Sequence, residues 1–349
     1  MLAELPLWAN LGFFALATAM VWFAGTRLVT FGNALAERFD LTREFIGLFF
    51  LAAITELPEI VTTLTGAHAG NAPLVLGNMF GGVTMQTAIL AVIDLFVVRH
   101  ALTSWPRKPT HALEAVFLVI FLNFILAISL LKEVTVFGSV GVGALVLFIA
   151  YPAVVGFLKR YDTRSTWAPI DIPGDSDRKG VFVGEDTVAE WSHLKLFVHS
   201  TSMALMILAA GYIAVDRAEI IAQQSGVSSS FIGTALLAAA TSMPELSTTI
   251  AAARMGAYTM AISNIFGSNL IMLALIFPAD LVYRRGPILA EIDQVAQFSL
   301  VCGAIVSAIY VAGILVRKTP RFLGAGLDSW AVLSIYICSL VALYFIQSG

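Results

Sequence analysis

The sequence predicts an all-α polytopic membrane protein of ten transmembrane helices, arranged as two inverted five-helix repeats. Three observations predict it. Apolar residues make up 58% of the 349-residue chain and charged residues only 12%, where a water-soluble domain carries about a quarter charged. The apolar material falls in blocks of roughly twenty residues, the length a helix needs to cross the hydrocarbon core. The chain also matches itself at a displacement of 186 residues, in polar as well as apolar positions.

The ten spans are expected at about 6–31, 43–66, 72–97, 112–131, 134–158, 194–216, 229–252, 257–282, 289–315 and 327–347. The first block lacks a basic flank and a small-residue cleavage site, so it reads as a mature helix rather than a signal peptide. Between the fifth and sixth spans lies the one long polar stretch, 159–193. It divides the chain into a first repeat (1–158), a cytoplasmic linker and a second repeat (194–349). Lys and Arg gather on the cytoplasmic side of membrane proteins. With both termini outside, fourteen of them fall in inner loops or the linker and four (Lys132, Arg217, Arg284, Arg285) in outer loops.

A net charge of −3 gives no reason to expect a nucleic-acid partner. The expected partners are the lipid bilayer and inorganic cations, with no cofactor. Cys302 and Cys338 sit in separate apolar spans without zinc spacing and read as small buried hydrophobes.

The repeat runs without a gap from Ala24–Gly25 over Ala210–Gly211 to Arg99 over Arg285. Thr55-Glu56-Leu57-Pro58-Glu59 falls on Thr241-Ser242-Met243-Pro244-Glu245, and Asn78-Met79-Phe80-Gly81 on Asn264-Ile265-Phe266-Gly267. Apolar composition alone would lay Leu on Leu; it would not bring Pro, Glu, Asn and Asp pairs into one register. Five spans separate equivalent elements, and an odd number inverts the second copy, an arrangement that places a site at the bilayer midplane.

Each repeat carries a glutamate inside an apolar span, Glu59 and Glu245. A charge there costs roughly 2.5–3.5 kcal/mol on insertion scales and marks a bundle interior or an ion path. Pro58 and Pro244 lack an N–H and free the carbonyl four residues back, which belongs to Ile54 or Ala240. Such carbonyls can ligate a cation. Thr55 and Thr241 stand four residues before the glutamates, on the same helical face, and Ser242 sits beside that face. A second polar stripe reads Asn78, Gly82, Gln86 in the third span and Asn264, Ser268, Met272 in the eighth. The glycines around it suit close helix packing.

Carboxylates, hydroxyls, amides and freed carbonyls are hard oxygen donors, of which calcium takes six to eight in flexible geometry. No His/Cys cluster favours zinc or copper. Glu59 and Glu245 together would neutralise one divalent ion, and sodium or protons could compete for the same oxygens. Competition for one site open to alternate sides is antiport. An intramembrane enzyme would need a Ser–His or paired-Asp arrangement or H-E-x-x-H, and no apolar span shows one. A passive cation channel commonly builds its lining from several subunits, unlike a two-fold site within one chain.

At these residues the chain resembles the calcium/cation antiporter superfamily, which includes the sodium/calcium exchangers. That family carries a Thr-Ser-hydrophobic-Pro-Glu motif and a Gly-Asn-x-x-Gly-Ser-Asn motif in each repeat. The second repeat matches closely, with Thr241-Ser242-Met243-Pro244-Glu245 and Ser263-Asn264-Ile265-Phe266-Gly267-Ser268-Asn269. The first is looser, with Thr55-Glu56-Leu57-Pro58-Glu59 and Gly77-Asn78-Met79-Phe80-Gly81-Gly82-Val83. The resemblance implies Glu59 and Glu245 as central ligands, with further oxygens from Thr55, Thr241, Ser242 and Ser268. Glu56 adds a third carboxylate where the family has Ser. Four residues beyond the motif Ser, where exchangers usually carry Asn or Asp, stand Gln86 and Met272.

The expected function is calcium exchange for sodium by alternating access. The open alternative is a calcium/proton antiporter in which Glu56 titrates. Ions would bind between spans 2, 3, 7 and 8 while spans 1 and 6 slide, in the inner membrane of a bacterium or archaeon. Among weaker signals, Asp175, Asp177, Gly180 and Asp186 fit an EF-hand spacing but read better as a solvated linker. Asp216, Arg217 and Glu219 read as a surface ion pair, Glu291 and Asp293 as a helix N-terminus, and Asp94 and Asp280 as interfacial.

Overall fold

In the computed structural model, residues 5–38, 55–98, 100–106, 108–131, 133–164, 188, 191–254, 256–317 and 319–347 are described. They form eleven helices: α1 (Leu7–Arg38), α2 (Leu57–Ala69), α3 (Ala72–Phe96), α4 (Thr110–Leu131), α5 (Val142–Arg164), α6 (His193–Ser225), α7 (Ser229–Thr241), α8 (Met243–Arg254), α9 (Tyr258–Tyr283), α10 (Gln294–Val316) and α11 (Leu327–Ile346). Eight of these are long and apolar enough to cross a membrane: α1, α3, α4, α5, α6, α9, α10 and α11. The expected second span is described only from Thr55 onward. The seventh is divided, with α7 carrying a π turn at Gly233–Leu237 and ending before α8. Most of the expected linker, including the EF-hand spacing, lies outside the described residues.

Local chemistry sets the helix ends. Asn71, Ser192, Ser228 and Asp293 cap α3, α6, α7 and α10 by accepting from Leu74, Lys195, Phe231 and Ala296 N–H groups, each satisfying a donor that a helix start leaves free. Asp293 thus fills the N-terminal role read for it. Gly70 and Gly256, 186 residues apart, follow α2 and α8 at φ +77° each, a left-handed conformation that only glycine adopts without strain.

The largest apolar core gathers around α3, α4, α9 and α10. In α3, 78% of the span is buried, against 22% in α6 and α11, so α3 is the central strut and α6 and α11 lie at the rim. The rim helices expose Trp22, Phe23, Leu205, Leu208, Tyr344 and Phe345, apolar surface that suits lipid contact. Cys302 is buried, but Cys338 is exposed, because α11 turns that face out of the bundle.

The packing follows the repeat. The broadest helix interface joins α1 to α6; α1 also packs on α8, and α6 on α2. At these crossings a Cβ on Gly25 would meet Pro244 Cγ at 2.5 Å, and one on Gly211 would meet Val61 Cγ1 at 2.7 Å. The first helix of each repeat therefore lies against the glutamate-bearing helix of the other.

Asp94 and Asp280, near the ends of their spans, are fully buried within the protein. Each ties three segments together. Asp94 accepts Leu102 N–H at 2.8 Å on one oxygen and Gly326 N–H at 2.8 Å on the other. Asp280 accepts Ile288 N–H at 2.6 Å and Gly141 N–H at 2.7 Å. The glycines end two small antiparallel hairpins, β1–β2 (Thr135–Phe137 with Val140–Gly141) and β3–β4 (Arg321–Phe322 with Ala325–Gly326), which lead into α5 and α11. A buried carboxylate without such donors would be costly, and these N–H groups are what let the two aspartates sit inside. Glu133, just before the first hairpin, accepts Gly143 N–H at 2.8 Å. Arg217 is buried rather than superficial: it donates to Asn10 Oδ1 at 2.7 Å and pairs with Asp216.

Candidate cation site

The site forms where both spans with a Pro-Glu pair break. Glu56 precedes α2 in a turn, with Pro58 in the first helical turn, and Ser242 occupies the equivalent turn between α7 and α8, ahead of Pro244. Proline cannot donate and its ring crowds the carbonyl four residues back, so the helix restarts at this level. The break is slight: Glu56 and Ser242 stay near helical dihedrals, at φ −73° and ψ −4° and at φ −77° and ψ 7°. Thr55 lies one turn before Glu59 and Thr241 one turn before Glu245, each across this turn. Pairing also crosses the repeats: the Glu59 carboxylate stands opposite the Thr241 hydroxyl, and Glu245 opposite Thr55. Ala240 is buried one turn before Pro244; Ile54 lies outside the described residues.

Thr55, Glu56, Ser242, Glu245, Ser268 and Gln86 are 0% exposed and Glu59 is 1% exposed. Glu59 lies within electrostatic reach of Glu245 and Glu56, and Glu56 faces Ser268. Both carboxylate oxygens of Glu56, Glu59 and Glu245 lack a hydrogen-bond partner. So do both amide atoms of Gln86 and Asn269 and the hydroxyls of Ser242, Ser268 and Thr63. Native interiors pair nearly all buried polar groups. An unmade hydrogen bond costs about 1–3 kcal/mol, more for a charged group, so thirteen orphaned atoms on eight side chains are the signature of a site built for a ligand. Among the described residues no three His, Cys, Asp or Glu side chains form a metal-holding group by themselves. The donors are therefore mixed, with carboxylates supplemented by hydroxyl and amide oxygens.

The two asparagines do something different from what the polar stripe suggested. Asn78 donates to Thr62 at 3.4 Å and accepts from Thr241 at 3.4 Å. Asn264 donates to Thr248 and Thr249, both at 3.2 Å. Thr62 and Thr248 in turn bond the Pro58 and Pro244 carbonyls at 2.9 and 3.0 Å. The asparagines thus brace the glutamate helices through threonine.

Three groups had no place in the sequence reading of the site. Asn269 and Thr63 belong with the orphaned donors. Thr63 could have been found from its position one turn beyond Glu59, and Asn269 from its place beside Ser268. The third is a half-buried trio, Ser263, His111 and Glu114. The Ser263 hydroxyl lies 2.8 Å from His111 Nδ1 and 3.0 Å from both Glu114 oxygens, and Glu114 lies 3.3 Å from the same Nδ1. A Ser-His-acid relay needs its serine and acid on opposite ring nitrogens; here both meet one nitrogen, so the trio is a polar clasp between α4 and α9.

A chain with this broken-helix, carboxylate-centred architecture belongs to the sodium/calcium exchanger protein family, whose model matches residues 9–158 and 195–345. The inner membrane protein YrbG of Escherichia coli (strain K12) is 22% identical over 308 residues, covering 86% of this chain and 87% of YrbG. In fold the chain is similar to the H+/Ca2+ exchanger CAX, with a TM-score of 0.70, 16% identity and coverage of 97% of this chain and 84% of that one. It is also similar to the sodium-calcium exchanger NCX_Mj, with a TM-score of 0.60, 18% identity and coverage of 97% and 99%. The protein is thus an integral membrane member of an exchanger family.

Proposed function

We propose that the protein is a secondary active antiporter that exchanges calcium for sodium by alternating access, through ten spans in two inverted repeats with both termini outside. The observation that carries this reading is the set of three fully buried carboxylates, surrounded by unpartnered hydroxyl and amide atoms, where the two broken spans meet. Glu59 and Glu245 neutralise a divalent ion; Thr55, Thr241, Ser242, Ser268, Gln86 and the Ala240 carbonyl complete an oxygen shell of the kind calcium takes. Thr55 and Thr241 report across the repeats, so a displacement of one glutamate helix changes the ligands of the other. The α1–α6 pair, packed against both glutamate helices through Gly25 and Gly211, slides to expose the site to one side at a time.

A second reading, calcium/proton exchange, is favoured by Glu56. It is a third carboxylate, fully buried, whose equivalent in the other repeat is Ser242. In that reading Glu56 carries the proton that moves against the cation.

Calcium uptake into liposomes holding the purified protein separates the readings. Uptake driven by an outward sodium gradient and not by a matched proton gradient supports sodium coupling; the reverse supports Glu56 as proton carrier. Calcium flux that needs neither gradient would refute antiport and point to a channel.

A further inference from the structure

Displacement by 186 residues pairs Glu56 with Ser242, Ser268 with Gly82, and Gln86 with Met272. Two contacts sort these pairs into halves around the shared Glu59 and Glu245: Glu56 meets Ser268 and Met272 meets Gly82, and by the repeat relation Gln86 goes with Ser268 as Met272 goes with Gly82. One half holds Glu56, Ser268 and Gln86; all three are fully buried and every side-chain oxygen they carry is unpartnered. The Glu56 carboxylate faces Ser268. The other half holds Ser242, Gly82 and Met272. There the Met272 thioether is seated on the bare backbone of Gly82, with Sδ and Cε each 3.1 Å from where a Cβ would stand, and Met272 is 1% exposed. A serine at 82 would put its hydroxyl into the space this thioether fills.

We propose that the cation is held off-centre, in the half formed by Glu56, Ser268 and Gln86, and that Met272 seated on Gly82 closes the other half to ions. The site then carries one cation position fewer than its two-fold plan allows. This rests on the transport reading above and specifies it. The oxygen count points the same way. Glu59 and Glu245 supply up to four oxygens, and the first half adds four more, reaching the six to eight that calcium takes. The second half adds one hydroxyl and a thioether, a soft ligand poorly suited to a hard cation. Methionine fills an irregular gap well, and here the gap is one that glycine leaves.

The test compares calcium affinity of the full-length wild-type protein in detergent, by calcium-dependent thermal stabilisation, with that of Gln86→Leu and Met272→Leu, two substitutions at positions equivalent under the repeat. Removing an oxygen that ligates a charge should weaken calcium binding about tenfold or more. Gln86→Leu should show that loss, and Gln86→Glu, which keeps the oxygen, should not. Met272→Leu conserves volume and should stay within about twofold. If Gln86→Leu fails to give monodisperse protein, Ser268→Ala reads the same asymmetry with little change in packing. Met272→Gln should open the closed half, making the dependence of calcium uptake in liposomes on the counter-cation steeper. Equal losses from Gln86→Leu and Met272→Leu, or an unchanged steepness in Met272→Gln, would overturn the inference and leave antiport standing. Wild-type protein that binds and moves no cation would overturn both.

Discussion

Replacing Glu245 with glutamine keeps the side chain's size and one oxygen and removes one charge from a site that is 0% exposed. A calcium ion bound there would keep Glu59 and Glu56 but lose a charged ligand that no solvent replaces. Breaking one partner of a buried ion pair costs about 3–5 kcal/mol, which is roughly two to nearly four powers of ten in affinity. Thermal stabilisation by calcium reads this directly. At a concentration one hundred times its dissociation constant, a ligand adds about 2.7 kcal/mol to stability. At the same concentration Glu245→Gln, with affinity reduced a hundredfold or more, should gain at most about 0.4 kcal/mol. Without calcium the substituted protein should melt no lower than wild type, because one of three neighbouring buried carboxylates has been made neutral. A calcium-dependent gain in Glu245→Gln equal to that of wild type would refute the site assignment.

Three further substitutions probe the frame. Gly25→Ala would drive a methyl group to 2.5 Å from Pro244 Cγ; overpacking of this kind costs about 1–3 kcal/mol and should slow calcium uptake while leaving calcium affinity near wild type. Asp94→Asn turns one of two accepting oxygens into a donor facing Leu102 N–H or Gly326 N–H; it should cost about 1–3 kcal/mol in a thermal melt, with calcium affinity unchanged. Burial, foremost, lifts the Glu133 carboxyl above its usual range; the Gly143 N–H opposes this and the Asp280 carboxylate adds to it. Its folded-state value is then raised, so its contribution to stability is greatest below about pH 4 and is lost as pH rises through that raised value. Glu133→Gln should flatten that part of a melting-temperature profile against pH.

Much of this architecture was readable from residue patterns. Glu59 and Glu245 stood out because a charge inside an apolar span is rare, and Pro58 and Pro244 announced the break because proline always removes a donor. What the pattern could not give was the partner across that break. Helical periodicity relates Thr55 only to Glu59 of its own span and says nothing of the other repeat. The threonines also reach the opposite glutamates, a relation set by packing of two distant segments. The ties of Asp94 and Asp280 were hidden for a related reason. Position along a span says nothing of their partners: one N–H for each comes from eight residues on, and the other from a hairpin far away in sequence. Met272 could be seen as a poor ligand in the sequence, but its seat on Gly82 is a tertiary fact.

The two aspartate ties also bear on how the chain is made. Asp94 takes its second N–H from Gly326, and Asp280 from Gly141, so each half closes a buried carboxylate belonging to the other. A first half emerging alone would carry Asp94 with only the Leu102 N–H, and that shortage persists until the β3–β4 hairpin has been synthesised. Final setting of the bundle is thus postponed until that hairpin is in place. A chain cut before the β3–β4 hairpin should expose its defect more than two hundred residues upstream, at the foot of α3.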